Sequence, residues 1–318
     1  MILIVTNSMD VTANFMCARL AREGVQYVRL DTDSVARSAK VRFQGGHIQL
    51  SLGEARLHPE EVSCVWMRRP KRIAIPLDVG DEAGRRHSAN EWAEALEGFF
   101  ARIEEGRWIN HPTRTTQASR KLTQLDLAKR IGLVIPSTLL TQDETEARQF
   151  LAEFGRVVVK PLSGGYLERA SPEEDTQVYT SRIEKEHGQH LGLVSRCPTL
   201  FQAEVEKEFD SRVCVVDGRL VAVGMRRRGQ DGKQLLDIRR NNMEGVEYFP
   251  LEVPADVAAK LRTLVGSLGL RFAAVDFAVD VHGEWVFFEV NASGQWAWLD
   301  LAGVADVAGE LMMAMRRN

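Results

Sequence analysis

The sequence predicts an α+β fold in three parts: an amino-terminal α/β unit, a small central unit and a carboxyl-terminal unit. Three observations carry this. At 318 residues the chain exceeds what one hydrophobic core usually serves, so two or three domains are expected. Its opening reads strand, helix, strand, with short apolar runs flanking a stretch of helical spacing. Its last third reads as hairpins, in which β-branched and aromatic runs reverse at a glycine. The expected units are residues 1–111, 112–199 and 200–318.

Composition narrows the partners. With 44% hydrophobic and 27% charged residues and a formal net charge of −3, nothing favours non-specific binding to nucleic acid or to a membrane. The apolar start, Met1 to Val5, is too short for a signal peptide. Cys17, Cys64, Cys197 and Cys214 show no metal-ligand spacing and read as reduced, buried thiols of a cytoplasmic protein.

Taken in order, Met1 to Thr6 is a buried strand, Val11 to Glu23 a helix stopped by Gly24, and Val25 to Leu30 a second strand. This β-α-β opening lacks a Gly-x-Gly-x-x-Gly turn, which argues against a dinucleotide site. Val41 to Leu50 and Ala55 to Leu57 form a small antiparallel element around Gly45 and Gly46. Glu61 to Met67 is a strand that runs into Arg68, Arg69, Pro70, Lys71 and Arg72, read as a solvated loop with an anion grip as the alternative. Asn90 to Glu105 is an amphipathic helix closed by Gly106. Thr113 to Ile131 is a single helix carrying Lys121, ended by Gly132. Val134 to Leu140 is a strand, and Thr141 caps the next helix with Glu144 completing a capping box.

Arg156 to Leu162 is a strand ending in Ser163, Gly164 and Gly165. A lysine at such a strand end, Lys160, before a glycine loop suits phosphate, because glycines let backbone N–H groups approach its oxygens. Ser171 to Gln189 reads as an exposed hairpin, with a short strand Gln177 to Thr180, and a surface helix. Leu200 to Val205 is a strand. Ser211 to Val216 and Leu220 to Met225 form a hairpin about Asp217 and Gly218, leading into Arg226, Arg227 and Arg228. Ala255 to Leu268 and Val304 to Arg316 are helices. The scattered His47, His58, His87, His187 and His190 read as surface residues.

Between those last helices, Val275 to Trp296 reads as a hairpin turning at His282 and Gly283. A two-residue loop there puts Asp276 directly opposite Glu289, with Asn291 two residues on along the same face. Like charges so placed repel, and in strands this apolar they require a positive partner. Two carboxylates and an amide oxygen suit Mg²⁺ or Mn²⁺ rather than zinc, the remaining positions going to phosphate and water. A solvent-facing acidic strand edge is the plainer reading.

The order of these segments (Lys121; Val158 to Gly165; Phe201 to Val205; Asp210 to Gly218; Asp237 to Arg239; Asp276; Phe288 to Gln295) resembles the ATP-grasp superfamily. More narrowly, and including Val65 to Pro70 and Trp108 to Pro112, the chain resembles the graspetide synthetases, microviridin-type maturases of ribosomal peptides. The resemblance implies an ATP-grasp fold preceded by a pre-ATP-grasp domain. Lys121 and Lys160 would contact ATP, Ser163, Gly164 and Gly165 would form the phosphate lid, and Gln202, Glu204 and Val205 the adenine-side hinge. Asp276, Glu289 and Asn291 would hold two Mg²⁺ ions, or Mn²⁺. Arg212, Arg239 and Asp237 would serve the acyl-phosphate region. Ala203 and Glu204 stand where Glu-aromatic is common, which leaves the residue packed on adenine open.

The implied reaction is an ATP-dependent ligation. A carboxylate activated as its acyl phosphate is attacked by a hydroxyl or amine, and the protein supplies charge neutralisation and alignment. The implied partner is a ribosomal precursor peptide with a leader and an acidic core, whose Asp or Glu side chains are joined to Thr, Ser or Lys; a homodimer also fits. Tyr166 to Thr180, with Glu173, Glu174 and Asp175, together with the surface helix that follows, is the expected leader-docking site, a plain surface hairpin being the alternative; the two arginine runs are candidates for holding the acidic core, with solvent-exposed charge as the alternative. The alternatives are a ligase of the same fold acting on free amino acids, and a non-catalytic ATP-grasp relative that binds a peptide or nucleotide.

Overall fold

The computed structural model describes residues 1–167, 176–239 and 243–317. The first part is built on β1 (Ile2–Thr6), α1 (Val11–Arg22), β2 (Tyr27–Asp31), α2 (Val35–Ser38), β3 (Ala39–Gln44), β4 (His47–Leu52), β5 (Ala55–Leu57), β6 (Cys64–Met67), α3 (Glu82–Phe100) and β7 (Trp108–Ile109). Strands β2-β1-β6-β7 make an all-parallel sheet, and β3-β4-β5 a separate antiparallel one. The Asp10 carboxylate caps α1 by accepting the N–H groups of Thr12 and Ala13, satisfying donors that have no partner within the helix.

The middle contains α4 (Pro112–Ala118), α5 (Lys121–Ile131), β8 (Thr138–Thr141), α6 (Glu144–Phe154), β9 (Val157–Lys160), β10 (Tyr166–Leu167), β11 (Thr176–Gln177), β12 (Ser181–Arg182), a 3₁₀ run Lys185–Arg196, and β13 (Thr199–Ala203). Its main sheet has the order β12-β9-β13-β8, and among the described residues β10 pairs with β11 in a separate two-stranded sheet. The last part has β14 (Lys207–Val216), β15 (Arg219–Arg226), β16 (Glu247–Leu251), α7 (Ala255–Ser267), β17 (Phe272–Asp280), β18 (Trp285–Asn291), α8 (Ala297–Leu301) and α9 (Val307–Arg316). Its sheet runs β16-β15-β14-β17-β18, all antiparallel. The two large sheets therefore meet at Glu204, Val205 and Glu206, the link between β13 and β14.

Four cores follow from the apolar patterning. One face of the last sheet packs on α5 and α7 through Leu125, Leu261, Leu264, Phe277 and Phe287. Its other face shares a core with the first sheet through Met16, Leu20, Trp66, Trp296, Leu299 and Leu311. The far side of the first sheet is covered by α3 and the β3-β4-β5 element, and the middle sheet by α6 and the 3₁₀ run. Among the described residues no helix is long and apolar enough to cross a membrane.

Several expectations are corrected. Helix α3 begins at Glu82, not Asn90, because Asp81 caps it by accepting from Gly84 N–H at 2.8 Å. Its first turns are largely solvent-facing and carry no apolar period. It ends at Phe100, and Gly106 lies in a later 3₁₀ turn. The helix expected over Thr113 to Ile131 is two helices, broken at Ser119 and Arg120, so Lys121 opens α5. The cap of α6 is Asp143, whose carboxylate takes two backbone N–H groups, while the Thr141 hydroxyl bonds Glu146. Strand β16 had no anticipated counterpart. Cys17, Cys64 and Cys214 are buried, but Cys197 is exposed. Glu173, Glu174 and Asp175 of the expected docking stretch lie outside the described residues.

Candidate active site

The floor of the site is the β17-β18 hairpin. Asp276 does stand opposite Glu289, but not by the expected route. The turn is a three-residue loop, Val281, His282 and Gly283, closed by Asp280 N–H to the Glu284 carbonyl at 3.0 Å. The Asp280 carboxylate holds it, accepting from His282 and Glu284 N–H at 2.9 and 2.7 Å. That loop moves the register by one residue, and a bulge at Phe288 moves it back. A bulge leaves two residues facing one, so Phe288 and Glu289 both line the cleft.

Cations from the surrounding elements meet these carboxylates. On β14, Arg212 makes a two-pronged contact with Asp276, both bonds 2.9 Å, and donates a third to the Gln295 carbonyl at 2.9 Å. Burial opposes the Arg212 charge, but Asp276 beside it prevails and its pKa goes up. Lys121 lies 3.4 Å from Glu289 and donates to the Pro161 carbonyl at 2.7 Å. From β9, the Lys160 ammonium sits 3.9 Å from the centroid of the Phe288 ring, a cation-π contact. Burial pushes its pKa down to about 8, with Glu289 pulling the other way.

Buried side chains hold these groups in place. Gln124 on α5 accepts the Val290 N–H at 2.9 Å and donates to the Val290 carbonyl at 2.8 Å and the Ala118 carbonyl at 2.6 Å. This pins the start of α5, and so Lys121, beside Glu289. Asn110, just past β7, uses all its amide capacity: it donates to Phe272 and Ala292 carbonyls and accepts Arg271 and Phe272 N–H, all within 2.8–2.9 Å. It thereby ties the first part of the chain to β17 and the end of β18.

On the opposite wall, Arg239 is held by Asp237 through two bonds of 2.8 and 2.6 Å. Those bonds raise the Arg239 pKa. Burial opposes the Asp237 charge, yet its bonds with Arg239 more than offset this and its pKa falls. At the β13-β14 link, the Glu204 side chain is only 6% exposed and is bound by Arg156 and Arg182. It therefore serves the link through its backbone position. Gln202 donates to Thr138 Oγ1 at 3.0 Å, and its own carbonyl oxygen is buried without a partner in the structure.

Every expected site residue except Gly165 lines one cleft of about 700 Å³ between the middle and last sheets: Lys121, Lys160, Ser163, Gly164, Gln202, Glu204, Val205, Arg212, Asp237, Arg239, Asp276, Glu289 and Asn291. Gly165 is buried beside it, at a φ of 69° that favours glycine. Arg120, Gln124, Lys207, Asp210 and Phe288 also line the cleft and were not anticipated as site residues. Lys207 and Asp210 had a sequence signal, an i, i+3 opposite-charge pair leading into an apolar strand.

The arginine runs behave differently from a solvated loop. Arg68 is 2% exposed, donates to the Ser293 carbonyl and lies 3.7 Å from Asp10; Arg69 reaches the same carbonyl at 3.3 Å. Burial, reinforced by Arg69, brings the Arg68 pKa down to about 10. Arg226 lies between Glu208 and Glu247 and over the Phe249 ring, and Arg228 bonds Glu208.

The donor set fits a hard divalent cation. Asp276 and Glu289 face each other and Asn291 offers an amide oxygen, which also accepts Ser293 N–H at 3.1 Å. Among the described residues no group of three or more His, Cys, Asp or Glu could hold a metal. Magnesium with few protein ligands completed by phosphate and water suits this arrangement.

Comparison with known proteins agrees with the geometry. Residues 1–116 match the MvdD pre-ATP grasp domain, and residues 121–292 match the ATP-grasp domain of prokaryotic glutathione synthetase. The chain thus belongs to the ATP-grasp ligases: it is an ATP-dependent ligase. More narrowly, it resembles peptide macrocyclases. The crystal structure of macrocyclase MdnC bound with precursor peptide MdnA, from Microcystis aeruginosa MRC, is 25% identical with a TM-score of 0.83, covering 100% of this chain and 99% of that one. Macrocyclase MdnB of the same organism is 29% identical, TM-score 0.74, covering 99% and 98%. A probable alpha-L-glutamate ligase of Thioalkalivibrio sulfidiphilus (strain HL-EbGR7) is 30% identical over 216 residues, 66% of this chain and 67% of the relative.

Proposed function

We propose that this ligase phosphorylates Asp or Glu side chains of a ribosomal precursor peptide and joins them to Thr, Ser or Lys side chains of the same peptide, closing lactone or lactam rings. The observation that carries this is coverage. The likeness to the macrocyclases extends over the whole chain, including the first 111 residues, whereas the glutamate-ligase match spans 66% of it. The chain works as three units; because β13 pairs within the middle sheet, the middle unit ends at Ala203 rather than at the expected 199, with Glu204 to Glu206 as the hinge.

In this reading Lys121 and Lys160 neutralise the nucleotide phosphates, and Ser163 to Gly165 close over them with backbone N–H groups. Gln202, Glu204 and Val205 face the base, the latter two through backbone groups. Asp276, Glu289 and Asn291 hold two Mg²⁺ ions, which supply Lewis-acid neutralisation of phosphate charge. Arg212 and Arg239, each oriented by its carboxylate partner, stabilise the charge that develops as the carboxylate takes up phosphate and is then attacked. Holding both ends of one peptide in the cleft makes ring closure effectively intramolecular. The stretch Tyr166 to Thr180 receives the leader, and the enzyme acts as a homodimer.

Mass spectrometry of a short precursor encoded beside this chain, after incubation with enzyme, Mg²⁺ and ATP, tests the proposal. Loss of one water per bond, abolished in Glu289→Ala, is expected. An unchanged peptide, with ATP consumed only when free amino acids are added, would refute it and support the second reading, an amino-acid ligase. That reading rests on the glutamate-ligase relative.

A further inference from the structure

The buried polar groups beside the cleft that the proposed chemistry leaves unused form one connected network. Lys207 and Asp210 are both on β14, with side chains 7% and 13% exposed and an Nζ to Oδ1 contact of 2.6 Å. Burial pushes the Asp210 carboxyl pKa up, with Lys207 opposing. A buried ion pair costs desolvation and is weak evidence for stability by itself. What surrounds this pair is the segment between β15 and β16, which carries Asp237 and Arg239. The Gln234 amide donates to Asp210 Oδ2 at 2.8 Å and to the Met225 carbonyl at 3.1 Å, and its oxygen accepts Arg227 N–H at 2.8 Å. Lys207 Nζ donates to the Leu236 carbonyl at 3.0 Å. Leu235 N–H returns to the Arg227 carbonyl at 2.9 Å.

From these contacts we infer that Gln234, Asp210 and Lys207 form a latch that seats the Arg227 to Arg239 segment on β14 and so aims Arg239 into the cleft. Gln234 and Lys207 are positioning residues. They hold the approach to Asp237 at two points: Gln234 ties the segment to Met225 and Arg227 at the end of β15, and Lys207, on β14, takes the carbonyl of Leu236, one residue before Asp237. The latch holds the segment on the Arg239 wall; Lys207 and Asp210 also act on the Lys160 charge, but Gln234→Ala leaves both ions in place and so frees the segment without changing the charges at the Lys160 end. Its release therefore weakens use of the acceptor peptide and leaves nucleotide affinity in place. This rests on the proposed role of Arg239 in the acyl-transfer region.

The experiment uses the full chain in two arms. Trypsin cleavage after Arg227, Arg228 and Lys233 should accelerate about tenfold or more in Gln234→Ala, with the melting temperature and other cleavage sites little changed. In kinetics, kcat/KM for the precursor should fall about tenfold while KM for ATP stays within about twofold. Gln234→Glu should behave like the alanine variant, because it can accept from Arg227 but cannot donate to Asp210. Combining Asp210→Asn with Gln234→Glu restores an amide-carboxylate contact with donor and acceptor reversed. The double variant should recover protection beyond the sum of the single changes. Unchanged protection in Gln234→Ala, an additive double variant, or equal losses in ATP and peptide parameters would each overturn the latch. If the wild type modifies no peptide, the proposed function fails, while the proteolysis arm still decides the latch.

Discussion

Lys160 offers a sharp test of the proposed placement of the nucleotide phosphates in the cleft. Burial lowers its pKa from 10.5 to about 8, and at about 1.4 kcal/mol per tenfold change in proton affinity this costs the folded protein roughly 3 kcal/mol near neutral pH. The folded pKa lies below the unfolded one. The cost is therefore fully present below about pH 8 and is relieved as the pH rises toward 10.5. Bound phosphates favour the charged form and return the pKa toward its ordinary value. Nucleotide binding must then draw a proton from solution: about a tenth of a proton at pH 7, about half at pH 8 and about nine-tenths at pH 9. Titration calorimetry with a non-hydrolysable ATP analogue, in buffers of different ionisation enthalpy, measures this uptake directly. Lys160→Arg, whose side chain stays charged throughout, should bind with none of the pH-dependent uptake. Equal uptake at pH 7 and pH 9 in the wild type, or the same profile in the arginine variant, would refute the reasoning.

Three further outcomes follow from the geometry. Asp276→Ala should abolish ligation and destabilise the fold by about 3 kcal/mol in denaturant titration, because it strands the Arg212 guanidinium in a buried setting. Asn110→Ala should cost about 3 kcal/mol or more, since four buried backbone groups lose their partner at once, and its midpoint of chemical denaturation should fall accordingly. Gly294→Ala places a Cβ 2.3 Å from that of Ala274, so about 1–3 kcal/mol of overpacking strain is expected, measurable as a lower melting temperature together with slower ligation.

The elements that carry the chemistry were the most readable in the sequence. Strands such as β14, β15, β17 and β18 announce themselves by β-branched runs reversed at glycine, and the carboxylates within them stand out because apolar strands rarely carry charge. The register of Asp276 against Glu289 was reached with a wrong loop and without the bulge, two one-residue offsets that cancel. Asp280 acting on its own turn and Phe288 bulging toward Lys160 leave no periodic trace. The missed break at Ser119 has the same character. No glycine or proline stops the helix there; Gln124, bonded both to the Ala118 carbonyl and to Val290 more than a hundred residues away, fixes where α5 begins. Arg68 was misread because sequence shows charge but not the distant carbonyl of Ser293 that receives it. Long-range hydrogen bonds of this kind set the placement of Lys121, the hairpin and the arginines, and no window of sequence contains them.

The tie between Asn110 and the segment following β18 bears on how such an enzyme can be rebuilt. The ends of the chain's active hairpin are clasped from residues 1–111: Asn110 at Phe272 and Ala292, Arg68 and Arg69 at Ser293. A chimera that exchanges residues 1–111 for those of a distant homologue inherits new loops but also a new clasp. Transplants should therefore carry the loop from Ala292 to Gln295 along with residues 1–111, treating two pieces far apart in the gene as one exchangeable module.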